Sequence, residues 1–360
     1  MFFNIHTPQT PFVAGIKAID STGALLIVGG LIMLLLGLEF GGVYYPWDSA
    51  IVLCLIVFGI LTLVLFSFNE WKLAKYPIIP LHIFQGRGVI VCCLISFIHG
   101  FVFIGGTFYL PLYFQAVLGY RPIMSGVFTL ALVLGLSFTS LGTGISIRKT
   151  GNYLPPIWFG LLFMTIGFGL LTDLDESSTH VKIILYEIVA GIGIGPLFQA
   201  PLIALQALTP PQDIASAVAT FHLFRNVATS SSLVIGAVVL QNSVQSQWDR
   251  LASEISEQTA DQLSGFNIAA NASRIINTLS PREKAVAHNV FAKALTNLWT
   301  MYVVMSALGL LCSFMITRKT LAKDHEETKT GLEAEEAKRL DRKENRRKID
   351  TERRAEKECE

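Results

Sequence analysis

Charge is scarce over most of this sequence. Residues 1–316 of the 360 carry only 14 Lys or Arg and 14 Asp or Glu, while 317–360 carry another 14 basic and 13 acidic residues. A chain with 15% charged and 52% hydrophobic residues lacks the polar surface of an ordinary soluble domain. Its net charge of +1 gives no basic face for nucleic acid. Cysteine is sparse and badly placed for a disulfide framework. Cys54, Cys92, Cys93 and Cys312 lie within apolar stretches and Cys359 lies in the charged end, so they read as small packing residues. The seven histidines form no His-x-x-x-His or His-Glu-x-x-His pair, which removes the common zinc motifs. There is no Gly-x-x-x-x-Gly-Lys-Ser/Thr loop for ATP and no Gly-x-Ser-x-Gly elbow. The start, Met1-Phe-Phe-Asn-Ile-His-Thr-Pro, lacks a basic leader region and a small-residue cleavage site. The first apolar stretch is therefore expected to direct membrane insertion itself. No cofactor and no metal is expected.

What the sequence has instead is eight apolar stretches, at 21–39, 49–68, 89–114, 124–147, 154–172, 181–207, 216–240 and 294–316. A bilayer core about 30 Å thick needs roughly 20 apolar residues of helix. Each segment must pair its own backbone amides there, since no water is available. The expectation is an all-α polytopic membrane protein. Basic residues favour the cytoplasmic side, and Lys72, Lys75, Arg87, Arg148 and Lys149 fall in alternate loops. The other short loops hold only Arg121, or acids at Asp173, Asp175 and Glu176. Both termini are thus expected in the cytoplasm: a segment 1–20, a loop 69–88 and a tail 317–360. The long loop 241–293 is then external, with Asn271-Ala-Ser273 as a glycosylation acceptor. The tail reads as a solvated, helix-prone segment, or alternatively as an anionic-lipid or partner contact through Arg346, Arg347 and Lys348.

Chemistry then rests on polar residues inside the spans, where ionisable groups are costly and usually face a cavity or a partner. Arg225 sits roughly 14 Å along its helix, and His222 precedes it by three residues on the same face. Arg225 reads either as a structural charge bonded to neighbouring carbonyls or as a cavity or gating charge. His99 and His222 read as packing histidines or cavity groups, and Glu187 as a rim residue or a site. Gln199 follows the run Gly191, Gly193, Gly195 and Pro196, with Pro201 beyond it. Glycine allows close helix contact and proline frees a carbonyl, so this span is expected either to bend beside a transport path or simply to pack closely.

Several segments, in this order, carry a resemblance. They are His6-Thr-Pro-Gln-Thr-Pro11, Leu36-Gly-Leu-Glu-Phe-Gly-Gly42 with Pro46-Trp47, Lys75-Tyr-Pro-Ile-Ile-Pro80, and Tyr109-Leu-Pro-Leu-Tyr-Phe-Gln115. Val117-Leu-Gly-Tyr-Arg-Pro122, Lys149-Thr-Gly151, Ala190-Gly-Ile-Gly-Ile-Gly195 with Phe198-Gln199, and Ala219-Thr-Phe221 with Phe224-Arg225 follow. Together they resemble the C-terminal portion of fungal major facilitator transporters of the fourteen-span drug:proton antiporter type, over nearly the whole chain. The resemblance implies that 21–68 are two linker helices and 89–316 a six-helix bundle of two inverted repeats. It places 89–114 and 181–207 around a central cavity, raising His99, Tyr109, Glu187 and Gln199. It places 216–240, with Arg225, near the interface between bundles. It further implies proton-coupled efflux of drugs, toxins or other small amphipathic molecules across the plasma membrane, or a vacuolar or other internal membrane. The family's N-terminal bundle, with its proton-coupling acid, has no counterpart here. A non-transporting half lacking that partner is the alternative, and an intramembrane enzyme or scaffold has no positive signal.

The orientation is testable directly. A glycan on Asn271 is the expected outcome in a eukaryotic expression host, read by a mobility shift on deglycosylation. A cysteine placed beside Asn271 that reacts only from the cytoplasmic face would overturn the topology.

Overall fold

The computed structural model describes residues 20–319 except 42–43, 74–78, 80–82, 85 and 265–267, and omits the side chains of 212, 264 and 268–271. Residues 1–19 of the expected N-terminal segment, nine residues of the loop 69–88, the tail beyond 319 and the Asn271 side chain fall outside the described residues.

Among the described residues the chain is helical, and eight helices are long and apolar enough to cross a membrane. In chain order the helices are α1 (Ser21–Phe40), α2 (Ala50–Phe68), α3 (Arg87–Ala116), α4 (Pro122–Thr150), α5 (Leu154–Leu171), α6 (His180–Ile194) and α7 (Ala200–Leu208). They continue with α8 (Ile214–Gln245), α9 (Trp248–Glu254), α10 (Glu257–Ser264), α11 (Ile268–Thr278) and α12 (Pro281–Ser313). Helix α6, a 3-10 turn at Gly195–Phe198 and α7 form one broken span. The ends of these helices carry ordinary stop and start signals. Asp20 caps α1 by accepting the Gly23 N–H at 2.9 Å, and also accepts the Asn69 amide at 2.7 Å from the end of α2. One carboxylate thus starts α1 and closes the α1–α2 hairpin. Burial pushes the Asp20 pKa up, but the donors of Gly23, Thr22 and Asn69 outweigh it and hold it below its ordinary value. Gly151 ends α4 with φ +66°, a left-handed cap that suits glycine.

The helix limits differ from the apolar stretches most at the last span. Helix α12 begins at Pro281, within a polar run, because Ser280 and Glu283 form a capping box and Pro281 suits the first turn. The segment between α8 and α12 is not open loop. It folds into α9, α10 and α11, which bury Leu251, Ala260, Ala272 and Ile276 against the bundle.

Helix α3 is the axis of the bundle and is mostly buried. It packs along α8 and α12, and α12 packs along α5. Helix α6 lies between α4 and α5. Helices α1 and α2 pack mainly on each other and reach the bundle through α1 and α8. Two kinds of seam hold this arrangement. Along α3 and α8, side chains donate to backbone carbonyls across the gap: Ser96 to Phe221 at 3.1 Å, Ser232 to Phe101 at 2.6 Å, and Tyr109 to Leu233 at 2.8 Å. Around α6 the contacts are made by glycines. A methyl on Gly191 would meet the Leu132 carbonyl of α4, and one on Gly193 would meet the Met164 backbone of α5. At the end carrying Arg87, Arg148 and Lys149 (the basic end), the Tyr153 hydroxyl donates to the Thr317 carbonyl at 3.0 Å and accepts the Lys319 N–H at 2.9 Å.

Replacing Gly193 by Ala is expected to cost about 1–3 kcal/mol through overpacking. Gly169→Ala, where a methyl meets open space, is expected to be neutral. Thermal unfolding of the two variants in detergent, followed by circular dichroism, compares them. Equal stability would contradict the glycine seam.

Candidate functional site

Two of the polar groups within the spans, His99 and Arg225, meet at the break in α6–α7. The turn at Gly195–Phe198 arises because Pro196 has no N–H and Gly195 sits hard against α4, where a methyl would collide with Thr139 and the Leu136 carbonyl. The turn sends Phe198 inward. Its ring meets His99 of α3 edge-on at 4.7 Å and Phe103 at 5.1 Å. The Arg225 guanidinium of α8 lies over the same ring at 4.4 Å. Such a cation–π contact is worth about 0.5–2 kcal/mol, more when desolvated. Gly100 makes the approach possible, since a Cβ there would lie 2.9 Å from Arg225 Cγ and from its carbonyl oxygen. Arg225 and His99 are eleven and twelve residues into their helices, so both lie about 17–18 Å from the basic end at 1.5 Å per residue.

His99 and Glu187 share an unusual condition. Each is wholly buried, and neither His99 nitrogen nor either Glu187 oxygen has a hydrogen-bond partner. Backbone of Ile194 lies near the His99 ring without completing a hydrogen bond. Leaving a buried polar group unpaired costs about 1–3 kcal/mol. These four are the buried, unpartnered side-chain atoms among the described residues. Arg225 likewise meets no carboxylate among them.

The other sequence candidates are placed differently. Tyr109 is buried, its hydroxyl is engaged by the Leu233 carbonyl, and its ring lies against Gly236. It joins α3 to α8 and stands apart from the Phe198 cluster. Gln199 is exposed beside the break and reaches Ser140 of α4 at 3.5 Å. His222 is exposed on α8, as is Asn226 one turn on, while Arg225 between them turns inward to Phe198. Gly191, Gly193 and Gly195 form the seams described above, and Pro201 is buried in the first turn of α7. The break therefore gathers His99 and Arg225, while His222, Gln199 and Asn226 are exposed and Tyr109 lies elsewhere. Phe198 and Phe103 complete the cluster; Phe103 is one of the aromatics of the 89–114 stretch that could face a substrate or simply pack, while Phe198 was not singled out as a site residue from the sequence. The i, i+4 spacing of His99 and Phe103 was a usable signal, but the meeting with α6–α7 depends on packing. At the opposite end Asp173 pairs with Lys182 at 2.9 Å, and that ammonium holds the Asp173 carboxyl below its ordinary value. Among the described residues no group of His, Cys, Asp and Glu is placed to hold a metal.

Comparison with known proteins adds to this geometry. Residues 15–233 match the family described as Major Facilitator Superfamily. The chain is 44% identical over 336 residues to the efflux pump dotC of Dothistroma septosporum, covering 93% of this chain and 57% of that protein. It is 41% identical over 342 residues to the MFS-type transporter ppz2 of Metarhizium majus, covering 95% of this chain and 59% of that one. It thus spans somewhat under three fifths of these relatives. Its fold is similar to that of a bacterial homolog of the human lysosomal transporter Spinster, solved inward-facing and occupied. The TM-score is 0.51 at 13% identity, over 84% of this chain and 64% of that one.

A double-mutant cycle of Arg225→Ala and Phe198→Leu is expected to show a coupling of about 1–2 kcal/mol in thermal or denaturant unfolding. Additive effects would mean that the two side chains do not share a contact.

Proposed function

The chain belongs to the Major Facilitator Superfamily, and from that we propose that it is the C-terminal half, with linker pair, of a fourteen-span proton-coupled exporter of small amphipathic organic molecules. The observation that carries the reading is the pair of wholly enclosed, unpartnered groups, His99 and Glu187, in a bundle crossed by a broken helix. Polar groups at such depth are expensive and are kept where a second conformation uses them. An enclosed carboxyl without a partner is tolerated as the uncharged acid. Glu187 is thereby the proposed proton-exchanging group, ionising when the bundle opens. The helices packed on α6 hold no competing ionisable side chain within the membrane. Residues 122–147 of α4 and 154–171 of α5 have none, and His99 of α3 is the remaining interior candidate. Arg225, held on Phe198, supplies a fixed positive charge beside the break.

Export as the direction of transport is taken from the relative named an efflux pump. The exposed polar residues His222, Asn226 and Gln199 support a surface that meets water, cargo or a second bundle rather than lipid. An N-terminal six-helix bundle is the proposed partner for this face, and both termini are proposed to be cytoplasmic.

The test reconstitutes the chain in liposomes together with the N-terminal six-helix half of the Dothistroma pump. Uptake of an amphipathic fluorescent dye is then followed under an imposed pH gradient. Gradient-driven uptake is expected, and Glu187→Gln is expected to slow it about tenfold or more while folding persists. Unchanged gradient-driven uptake by Glu187→Gln would remove Glu187 from coupling. No uptake by the unmodified pair would favour an inert half.

A further inference from the structure

We propose that the space between the linker pair and α8 is a binding site for one phospholipid acyl chain, drawn from the leaflet at the basic end. A cavity of about 300 Å³ lies there, walled by Leu31 of α1, Leu63 and Phe66 of α2, Phe97 of α3, and Phe224 and Val227 of α8. Its size is at the lower end of small-molecule pockets. The lining is apolar save for Ser67, whose hydroxyl already donates to the Leu63 carbonyl at 3.0 Å. Nothing in the wall is left to orient a polar group, and a cavity of this kind does not hold water.

Shape and position identify the occupant. Ser67 is one residue from the basic end of α2, while Val227 is thirteen residues into α8. At 1.5 Å per residue the lining therefore runs from near the membrane surface to about 20 Å deep, elongated along the membrane normal as an acyl chain is. All four walls are spans, so hydrocarbon is the surrounding medium, and an empty space would forgo the dispersion contacts of its lining. The pair α1–α2 meets the bundle chiefly through α1 and α8, which leaves this gap unfilled by protein. Beyond Ser67 the π-turn at Asn69–Leu73 exposes Trp71 and Lys72. The Lys72 ammonium lies 5.0 Å from the Trp71 ring and 5.4 Å from Phe68. An aromatic and a cation at this level match the interface and a lipid phosphate.

The test uses the full chain purified from nanodiscs of equal parts phosphatidylcholine and phosphatidylglycerol, with no other small molecule present. After transfer to detergent, native mass spectrometry is expected to show one retained phospholipid. Leu31→Trp, which fills the cavity, is expected to lower the retained fraction about tenfold or more. Leu130→Trp, on the exposed side of α4, is expected to leave it unchanged. If Leu31→Trp does not fold, Val227→Phe serves in its place. In the same washed sample, a benzophenone amino acid at Val227 is expected to gain the mass of a phospholipid on irradiation. Absence of retained lipid, equal retention by the filled variant, or a cross-link to polypeptide (a second copy or another part of the chain) would each overturn the proposal. An apolar cargo as the natural occupant would leave the lipid-only sample without an adduct.

Discussion

Lipid tails are as apolar as leucine, so in the membrane interior helices associate through contact and hydrogen bonding rather than through burial from water. Every feature of this bundle follows from how that requirement is met. Where α6 passes between α4 and α5, contact is obtained by leaving out side chains at Gly191, Gly193 and Gly195. Where α3 meets α8, it is obtained by Ser96, Ser232 and Tyr109 reaching across to backbone carbonyls. The first kind of seam is smooth and carries no directional bond. The second fixes register. The break at Gly195–Phe198 lies on the smooth side, and the cation over Phe198 comes from the bonded side. The polar cluster thus spans the boundary between the two.

That boundary explains why the interior is chemically uneven. Buried hydroxyls are hydrogen-bonded, usually to a carbonyl one turn back or across the α3–α8 seam. His99 and Glu187 break this pattern. His99 lies on α3 against the break and Glu187 lies within the broken span itself, and both are wholly buried. A structural role alone would favour apolar residues of similar volume, since an unpaired polar group lowers stability.

The eight spans and the all-helical architecture were legible because apolar length is a property of the local sequence. The bend of the 181–207 stretch was open to two readings, turn or close packing, and both occur: Pro196 sits in the 3-10 turn while Gly191 and Gly193 make the seams. Helix ends were less legible. Hydropathy places the start of the last span at 294, but the capping box at Ser280 and Glu283 starts α12 in a polar run where hydropathy has no signal. The meeting of Arg225 with Phe198 was illegible for a different reason. The two residues lie on separate helices, and their contact depends on Gly100 having no side chain, a condition that only the packed structure displays. Tyr109 illustrates the converse: an aromatic with a hydroxyl on a cavity-type helix, whose hydroxyl is taken up by the Leu233 carbonyl.

The Tyr153 hydroxyl binds the backbone at both Thr317 and Lys319. It acts as a cleat at the start of α5, fixing the point from which the chain leaves the bundle. That point also lies against the first turn of α3, where a Cβ on Gly88 would sit 3.2 Å from the Thr317 hydroxyl oxygen. Two helices that are distant in sequence, α3 and α5, are thereby moored to one short stretch of backbone at the basic end.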